Sequence, residues 1–400
     1  MNILYLTMSR IENLSDRDIY TDLFRYFRDR GHQVWLVSPR ERSTSSKAGM
    51  ADVDGVHILG VRTLNLQKTN VIEKGIGQVL VGYQYGAALR KYLKDVHFDL
   101  ILYSTPPITL TRVIRMARRL NPGARTYLLL KDIVPQNAVD IGMLSKSGVK
   151  GLLYRYFRRE EKTLYQLSDH IGCMSQANVD YVLAHNPEIP QQKVEIAPNS
   201  VRLMDVQPVD KTSVRSRYGL PVDRPVFIYG GNLGKPQGIP FLIECLQANA
   251  RRTDCFFVVI GNGTEYPKLH KWYEEVRPSS VLLMDRLPKA EYDQFVAACD
   301  VGLIFLDHRF TIPNFPSRLL SYLEHKMPVL CAVDPNTDMG RIAQENGFGD
   351  WCESNSVASF THILDKMIQA DRTSMGEKGY QYMKAHYLVE NTYDAIVSHV

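Results

Sequence analysis

Pro225-Val226-Phe227-Ile228-Tyr229-Gly230-Gly231-Asn232-Leu233-Gly234-Lys235-Pro236-Gln237-Gly238 is the stretch that points most directly to the architecture of this chain. An apolar run predicts a buried strand, four glycines follow within nine residues, and Ile239–Asn249 has a helical pattern. Glycines let a backbone come close to a phosphate, and a helix N-terminus supplies free N–H groups and a positive dipole end. The stretch therefore predicts a phosphate site, with a purely structural turn as the alternative.

The predicted phosphate-binding turn supplies most of an expected donor-binding set: Gly231, Asn232, Gly234, Lys235, Gln237 and Gly238. A second turn, Val259-Ile260-Gly261-Asn262-Gly263-Thr264, adds Gly261 and Gly263, although a lone G-x-G is also common in structural turns. Leu287, after the predicted strand Val281–Met284, belongs to the same expected set.

A proline-marked segment, Ile312–Leu323, predicts a second helix start in the same half of the chain. Pro316 suits a first helical turn, and Asn314 or Ser317 is a suitable cap. Arg318 adds a fixed charge capable of bidentate contacts. Two helix N-termini can converge on one diphosphate, so we expect Pro316, Ser317, Arg318 and Ser321 to bind a nucleotide diphosphate.

Outward from these motifs, short apolar runs alternate with amphipathic helical patterns along the whole chain. In the second half, predicted strands follow at Phe256–Ile260, Val281–Met284, Val301–Phe305 and Pro328–Ala332. In the first half they lie at Asn2–Thr7, Gln33–Val37, His57–Gly60, Leu100–Tyr103, Thr126–Leu130 and Ile171–Met174. This alternation predicts an α/β protein with two doubly wound, Rossmann-like parallel sheets that face a central cleft.

A length of 400 residues suits two domains. A Pro- and charge-rich stretch, Pro198–Arg224, has little periodicity and predicts a linker. We expect an N-terminal domain over 1–203, a C-terminal domain over 204–382, and a final helix over 383–400 that packs back on the first domain.

Composition and charge narrow the class of protein. The 44% apolar and 23% charged residues are typical of a globular chain, and no apolar run is long enough to span a membrane. The Met1–Thr7 run is too short for a signal peptide and predicts a buried strand. Six cysteines without metal-binding spacing predict buried free thiols. Residues 1–200 hold 27 Lys/Arg against 19 Asp/Glu, which makes the first half the basic one.

Polar residues after predicted strands of the first half are candidates for chemistry. Lys131 and Asp132 follow Thr126–Leu130, where Asp132 could accept a proton and Lys131 could neutralise phosphate. A surface pair before a proline turn is the alternative. Ser104 and Thr105, with Asp16 and Arg17 at the start of the first helix, form an expected acceptor-binding set. Asp16 is also a candidate N-cap of that helix.

Basic and aromatic residues alternate over Lys150–Arg159, and Arg112, Arg115, Arg118 and Arg119 recur at helical spacing. This pattern suits contact with an anionic membrane surface. A solvated helix with one core face is the alternative. Nucleic acid is the weaker partner, because no recognised nucleic-acid motif accompanies the charge.

Several segments together resemble the retaining glycosyltransferases of family 4, which have the GT-B fold, and within them the bacterial surface-polysaccharide (WbuB-like) branch. The segments are Lys131–Gln136, 168–171, Lys193–Ser200, Tyr229–Gly238 and Phe315–Val329. The match spans most of the chain in the expected order. It departs from the family at Asn232 and Gln237, where many members have Arg and Lys, and at Pro313 and Ser321, where many have glutamates.

The resemblance implies transfer of a hexose or N-acetylhexosamine from a nucleotide-diphosphate donor, with a UDP-sugar expected, to a lipid-linked glycan acceptor. The leaving diphosphate needs positive groups and N–H dipoles around it, and Lys131, Lys235 and Arg318 are candidates for the missing charge. The resemblance implies no metal and no other cofactor, and a location on the cytoplasmic membrane face. Two alternatives remain, a nucleotide-sugar epimerase and a non-catalytic partner subunit. A Rossmann dehydrogenase is disfavoured, because no G-x-G-x-x-G motif follows the first predicted strand of either half.

Overall fold

The computed structural model describes residues 1–15, 17–44, 46–65, 71–203 and 209–400. These residues form two compact units. Unit 1 comprises Met1–Arg202 and Leu388–Val400, and unit 2 comprises Leu203–Tyr387. Each unit is a parallel sheet with helices around it, so the expected α/β class with two Rossmann-like domains is confirmed.

The described part of unit 1 contains a sheet of eight strands in the order β3-β4-β2-β1-β5-β6-β7-β8, parallel except for the β3–β4 pair. The strands are β1 Asn2–Leu6, β2 Gln33–Glu41, β3 Gly49–Val53, β4 Val56–Thr63, β5 Leu100–Ser104, β6 Arg125–Leu130, β7 His170–Cys173 and β8 Val194–Ile196. The helices are α1 Ile19–Asp29, α2 Val71–Tyr92, α3 Thr111–Leu120, α4 Gln136–Asp140, α5 Gly148–Leu167 and α6 Gln176–His185. The central strands are apolar on both faces, as expected for a sheet covered by helices on each side.

Unit 2 contains, within its described residues, a fully parallel sheet in the order β11-β10-β9-β12-β13-β14. The strands are β9 Val226–Asn232, β10 Phe256–Asn262, β11 Val281–Met284, β12 Val301–Phe305, β13 Val329–Val333 and β14 Gly349–Glu353. The helices are α7 Lys211–Arg217, α8 Ile239–Ala248, α9 Tyr266–Val276, α10 Lys289–Ala297, α11 Arg318–Glu324, α12 Met339–Glu345, α13 Val357–Gln369 and α14 Arg372–His386.

The end of the chain returns to unit 1. Helix α15, Val389–Val397, packs on α1, and the Tyr393 ring lies 4.9 Å from the ring of Phe27 between centroids. The Thr392 hydroxyl lies 2.8 Å from Ser200 Oγ, and the Val389 N–H donates to the carbonyl of Val201. The boundary between unit 2 and the returning segment lies between α14 and α15 rather than at the expected residue 383, because α14 continues to His386.

All six cysteines lie in described parts of the chain, and they are buried and unpaired, as the sequence predicted. Within the same described ranges, no helix combines the length and the apolar content that a membrane crossing needs.

Candidate active site

The two glycine turns of unit 2 face each other at the carboxyl ends of adjacent strands. Strands β9 and β10 pair in parallel as far as Gly231 with Gly261 and Asn232 with Asn262. A Cβ on Gly261 would lie 1.8 Å from the Gly231 carbonyl oxygen, and one on Gly263 would lie 2.4 Å from the Leu233 carbonyl oxygen. Side chains are excluded at Gly261 and Gly263, so bare backbone lies beside the strand ends, where parallel sheets bind ligands.

The turn starts later than the sequence suggested. Gly230, Gly231 and Asn232 were predicted to belong to the turn, but they are the last three residues of β9. Beyond them, the Gln237 side-chain oxygen accepts hydrogen bonds from Asn232 Nδ2 at 3.0 Å and from the Gly234 N–H at 3.1 Å. Gln237 and Asn232 therefore brace the turn from inside, which limits their freedom to contact a ligand.

The helix after the turn begins as a phosphate site would require. Gly238 has a φ of 56°, and a Cβ there would lie 3.2 Å from the Leu306 carbonyl oxygen, so the position suits glycine. No side-chain hydrogen bond caps the start of α8 among the described residues. Lys235 is exposed and forms no ion pair within the described part of the chain, so its ammonium group is available to an anion.

The half-buried Arg318 places a positive charge next to the paired glycines. Its guanidinium carbon lies 4.3 Å from the centroid of the Tyr229 ring, and a Cβ on Gly231 would be 3.8 Å from its Nη2. The buried Nη1 has no hydrogen-bond partner among the described residues. An unpaired buried donor costs about 1–3 kcal/mol, so an anionic ligand oxygen would relieve this cost.

The other residues expected to bind the nucleotide diphosphate near α11 have less suitable positions. The prediction that Pro316 occupies the first helical turn is wrong, because α11 starts at Arg318 and Ser317 is its N-cap residue. The Ser317 side chain makes no capping hydrogen bond in the described structure, and α11 has only seven residues. The carbonyl of Ser321 accepts from the His325 N–H and lies 2.8 Å from His325 Nδ1.

Leu287 follows β11 and is partly buried. The end of β11 is held beside β10 by a hydrogen bond from Asn262 Nδ2 to Asp285 Oδ1 at 3.0 Å. Leu287 therefore lies in the loop that leaves the same edge of the sheet, two residues beyond this contact.

Two tyrosines at this site were missed by the sequence analysis. The Tyr322 hydroxyl donates to the Ile228 carbonyl and accepts from the Gly230 N–H, both at 3.1 Å. The Tyr292 hydroxyl fills the space of a side chain at residue 230, since a Cβ on Gly230 would lie 1.9 Å from it. The signal in the sequence was Gly230, the first of two consecutive glycines, which is needed because the Tyr292 side chain lies over the strand at that residue.

In unit 1, the residues that follow β5 and β6 come together as expected. Thr105 Oγ1 accepts the N–H groups of Lys131 at 3.0 Å and of Asp132 at 3.2 Å. The Ser104 hydroxyl lies 2.9 Å from the Tyr5 hydroxyl, and Lys131 Nζ donates to the Ala197 carbonyl at 3.3 Å. Thr105 thus fixes the backbone from which the Lys131 and Asp132 side chains project.

Burial changes the acid–base character of this pair. Desolvation raises the pKa of Asp132 to about 6 and lowers the pKa of Lys131 to about 7. Both values lie near neutrality, where a carboxyl group and an amine can each exchange a proton.

The expected acceptor residues at the first helix have a different arrangement. Asp16 lies outside the described residues. Asp18 caps α1 by accepting from the Tyr20 and Thr21 N–H groups, so the capping role considered for Asp16 belongs to Asp18. Arg17 donates to the Arg202 carbonyl at 2.7 Å, and its Nε lies 3.5 Å from the buried Asp22 carboxylate. These contacts fasten Arg17 to its own unit.

Two family models together cover most of the chain. Residues 20–204 match the model described as Glycosyltransferase Family 4, and residues 210–382 match the model described as Glycosyl transferases group 1. The chain belongs to the family 4 type of glycosyltransferases. It is a glycosyltransferase with the GT-B fold.

Curated relatives agree with this assignment. "Probable glycosyltransferase WbjE" of Pseudomonas aeruginosa is 24% identical over 322 residues, which cover 80% of this chain and 78% of the relative. WcaI of Escherichia coli (strain K12), described as a colanic acid biosynthesis glycosyl transferase, is 21% identical over 252 residues, which cover 62% of this chain and 60% of the relative.

Solved structures show the same fold at low identity. Sucrose-phosphate synthase from Thermosynechococcus elongatus has a TM-score of 0.76 and 14% identity, with 100% of both chains covered. Anabaena HepE, solved in complex with UDP, has a TM-score of 0.69 and 14% identity, with 100% of this chain and 99% of HepE covered.

Proposed function

We propose that this glycosyltransferase moves a hexose or N-acetylhexosamine, with retention of anomeric configuration, from a UDP-sugar to a lipid-linked glycan in surface polysaccharide synthesis. The proposal rests on Arg318, a half-buried residue whose buried Nη1 is unpaired and which lies beside the paired glycines of unit 2. A fixed charge in a desolvated place stabilises the negative charge that develops on a leaving diphosphate. HepE, with the same fold, binds UDP, and WcaI acts in colanic acid synthesis.

In this proposal the charges missing at Asn232 and Gln237 are supplied by other groups. Many family members have a lysine at the position of Gln237. Here the Gln237 side chain accepts a hydrogen bond within the turn and brings no charge. Arg318 and the exposed Lys235 would hold the two phosphates, and the uncapped start of α8 would add N–H groups. This set neutralises a diphosphate without a metal ion, so we propose that transfer needs no added cation.

We propose that unit 1 binds the acceptor. Ser104, Thr105, Lys131 and Asp132 gather at one edge of its sheet, and the near-neutral pKa of Asp132 suits a group that exchanges a proton with an attacking hydroxyl. Lys131 would neutralise the phosphate of a lipid-linked acceptor.

An apolar surface on unit 1, here called the α2–α3–α5 face, supports the proposal that the acceptor is linked to a lipid. Its exposed apolar residues are Ile76, Val79, Leu80 and Tyr83 on α2 and Val149, Leu152, Leu153 and Tyr156 on α5. Val149 is 85% exposed and Leu152 61% exposed, which is unusual for residues of this kind. Helices α2 and α5 both pack against α3, so the three helices belong to one part of unit 1.

Basic residues surround this apolar surface. The Arg112 guanidinium carbon lies 3.9 Å from the Tyr83 ring centroid, and Arg115, Arg155 and Arg159 line one shallow depression. Apolar side chains flanked by arginines fit an anionic bilayer surface, where the chains enter the headgroup region and the charges meet phosphates. We propose that this face holds the enzyme at the inner side of the cell membrane.

The proposal is tested by incubating the purified chain with a panel of nucleotide sugars and a synthetic polyprenyl-diphosphate-linked sugar. We expect a UDP-sugar to glycosylate the lipid and the product to keep the donor's anomeric configuration by NMR. Conversion of the donor in the absence of acceptor would indicate an epimerase. Binding of no nucleoside diphosphate by calorimetry would rule out the donor site.

A further inference from the structure

Three side chains that commonly bind metals converge in unit 1, away from the strand ends described above. His170 is the first residue of β7, Glu195 lies on β8 opposite Gly172, and His399 follows α15. One ligand atom from each lies within 4.8 Å of the other two. Because His170 begins its strand, the cluster lies towards the amino end of β7, whereas Lys131 and Asp132 follow the carboxyl end of β6.

The three side chains are held in place by their neighbours. The His170 and His399 rings stack with centroids 3.6 Å apart and an angle of 13° between planes. His399 Nε2 lies 2.9 Å from Glu195 Oε1, and the Tyr127 hydroxyl donates to the same oxygen at 2.6 Å. The buried His170 Nδ1 has no hydrogen-bond partner within the described residues. That nitrogen is a buried polar atom without a partner, and a bound ligand would satisfy it.

We propose that His170, Glu195 and His399 bind one Zn²⁺ ion, with water in the fourth position. Two imidazoles and a carboxylate are ligands that Zn²⁺ accepts at about 2.0–2.2 Å. Zn²⁺ needs its ligand atoms closer to one another than 4.8 Å, so on binding the half-buried His170 and His399 rings would have to rotate out of their parallel stack. Zn²⁺ would replace the contact between Glu195 and His399, and Tyr127 would remain as the hydrogen-bond donor that orients the carboxylate.

The surroundings keep the cluster suited to a cation. The Glu195 carboxylate, whose Oε1 lies 2.9 Å from His399 Nε2, supplies a negative charge at the cluster. The nearby charged groups on packed elements are Asp169, which precedes β7, and Arg125, which begins β6. A bound Zn²⁺ would link the last residues of the chain to β7 and β8, so it would stabilise unit 1 and take no part in sugar transfer.

The test uses the full chain after removal of metals with a chelator. Titration with ZnCl₂ by calorimetry should give one site per chain and raise the melting temperature, and Co²⁺ should give visible absorption typical of a tetrahedral site. His170→Ala and His399→Ala should each weaken Zn²⁺ binding at least tenfold, and Glu195→Gln should do the same. His362→Ala, at an exposed histidine of unit 2, is the matched control and should bind Zn²⁺ as the parent does.

Circular dichroism of each metal-free variant shows whether it is folded, and His399→Asn offers a milder change if His399→Ala is not. Unchanged Zn²⁺ affinity in the His170→Ala, His399→Ala double variant would overturn the proposal, as would the absence of a stoichiometric site in the parent. The initial rate of sugar transfer should be equal with and without chelator, which separates this site from the donor site.

Discussion

Gly231 and Gly261 are opposite each other on β9 and β10, and the carbonyl oxygen of Gly231 occupies the place where a Cβ of Gly261 would be. The two glycine turns are therefore one structural feature rather than two. Gly261 is required because β9 is so close, whereas Gly231 suits glycine because its φ is 122°, and together they leave the backbone of both strands bare at this pair.

Gly261→Ala should destabilise unit 2 because its methyl group would lie 1.8 Å from a backbone oxygen that has no room to move. We expect a loss of about 1–3 kcal/mol in the free energy of unfolding, the usual cost of overpacking. Urea unfolding measures it. Gly123→Ala is the control, because in the described structure an added Cβ there meets no atom within 4 Å. Equal stabilities of the two variants would contradict the prediction.

Arg318→Ala should weaken binding of UDP by about 10- to 100-fold, since a charge-assisted hydrogen bond contributes about 1.5–3 kcal/mol. Arg318→Lys should recover part of the loss, because lysine restores the charge without the planar fork. Arg341→Ala, at an exposed arginine on α12 of the same unit, is the control and should bind UDP normally. Calorimetry gives the affinities. Normal UDP binding by a folded Arg318→Ala protein would remove Arg318 from the donor site.

Asp132 should make the stability of the enzyme pH-dependent. Its pKa is about 6 in the folded protein and near 3.8 in the unfolded chain, so the folded state binds more protons between these values. The resulting stabilisation is present below pH 3.8 and is lost as the pH rises through 6. The difference in unfolding free energy between Asp132→Asn and the parent should therefore grow in favour of the variant from pH 4 to 6.5. A constant difference across this range would show an ordinary pKa for Asp132.

The double variant Leu152→Glu, Leu153→Glu should reduce binding to anionic vesicles, because two carboxylates would enter the headgroup region in place of two leucines. We expect at least a tenfold loss in co-sedimentation with phosphatidylglycerol vesicles. Val222→Glu changes an equally exposed apolar residue of unit 2 and is the control. Unchanged sedimentation of the double variant would indicate that the α2–α3–α5 face is a solvated surface.

Strand positions were predictable because buried parallel strands are short apolar runs, such as Val301–Phe305, which the structure reproduces with the same bounds. Three of the four edge strands of the described sheets, β3, β8 and β14, were not predicted, whereas the fourth, β11, was predicted with its observed bounds. The sequence Gly49–Val53 lacks a strong apolar pattern, since this strand has one neighbour and three exposed residues. Edge strands carry a weak signal because much of their surface faces water.

The candidate site was predictable where the backbone has to be bare, because only glycine permits it. The positions of Arg318 beside Gly231, and of Tyr292 over Gly230, depend on contacts between elements distant in sequence. The hydrogen bond of Gln237 within its own turn could not be predicted either, because the sequence does not show whether a glutamine in a turn contacts a ligand or the turn itself.

Helix α15 gives unit 1 a discontinuous chain, with all of Leu203–Tyr387 inserted between its first 202 residues and its last helix. During synthesis on the ribosome, the surface of Phe27 and α1 that Tyr393 covers stays uncovered until unit 2 has been made. Unit 2 is continuous and can complete its own core first. Native unit 1 therefore forms only after α15 has been synthesised, and a premature stop before α15 would leave a nascent protein with an exposed aromatic surface for chaperones or proteases to bind.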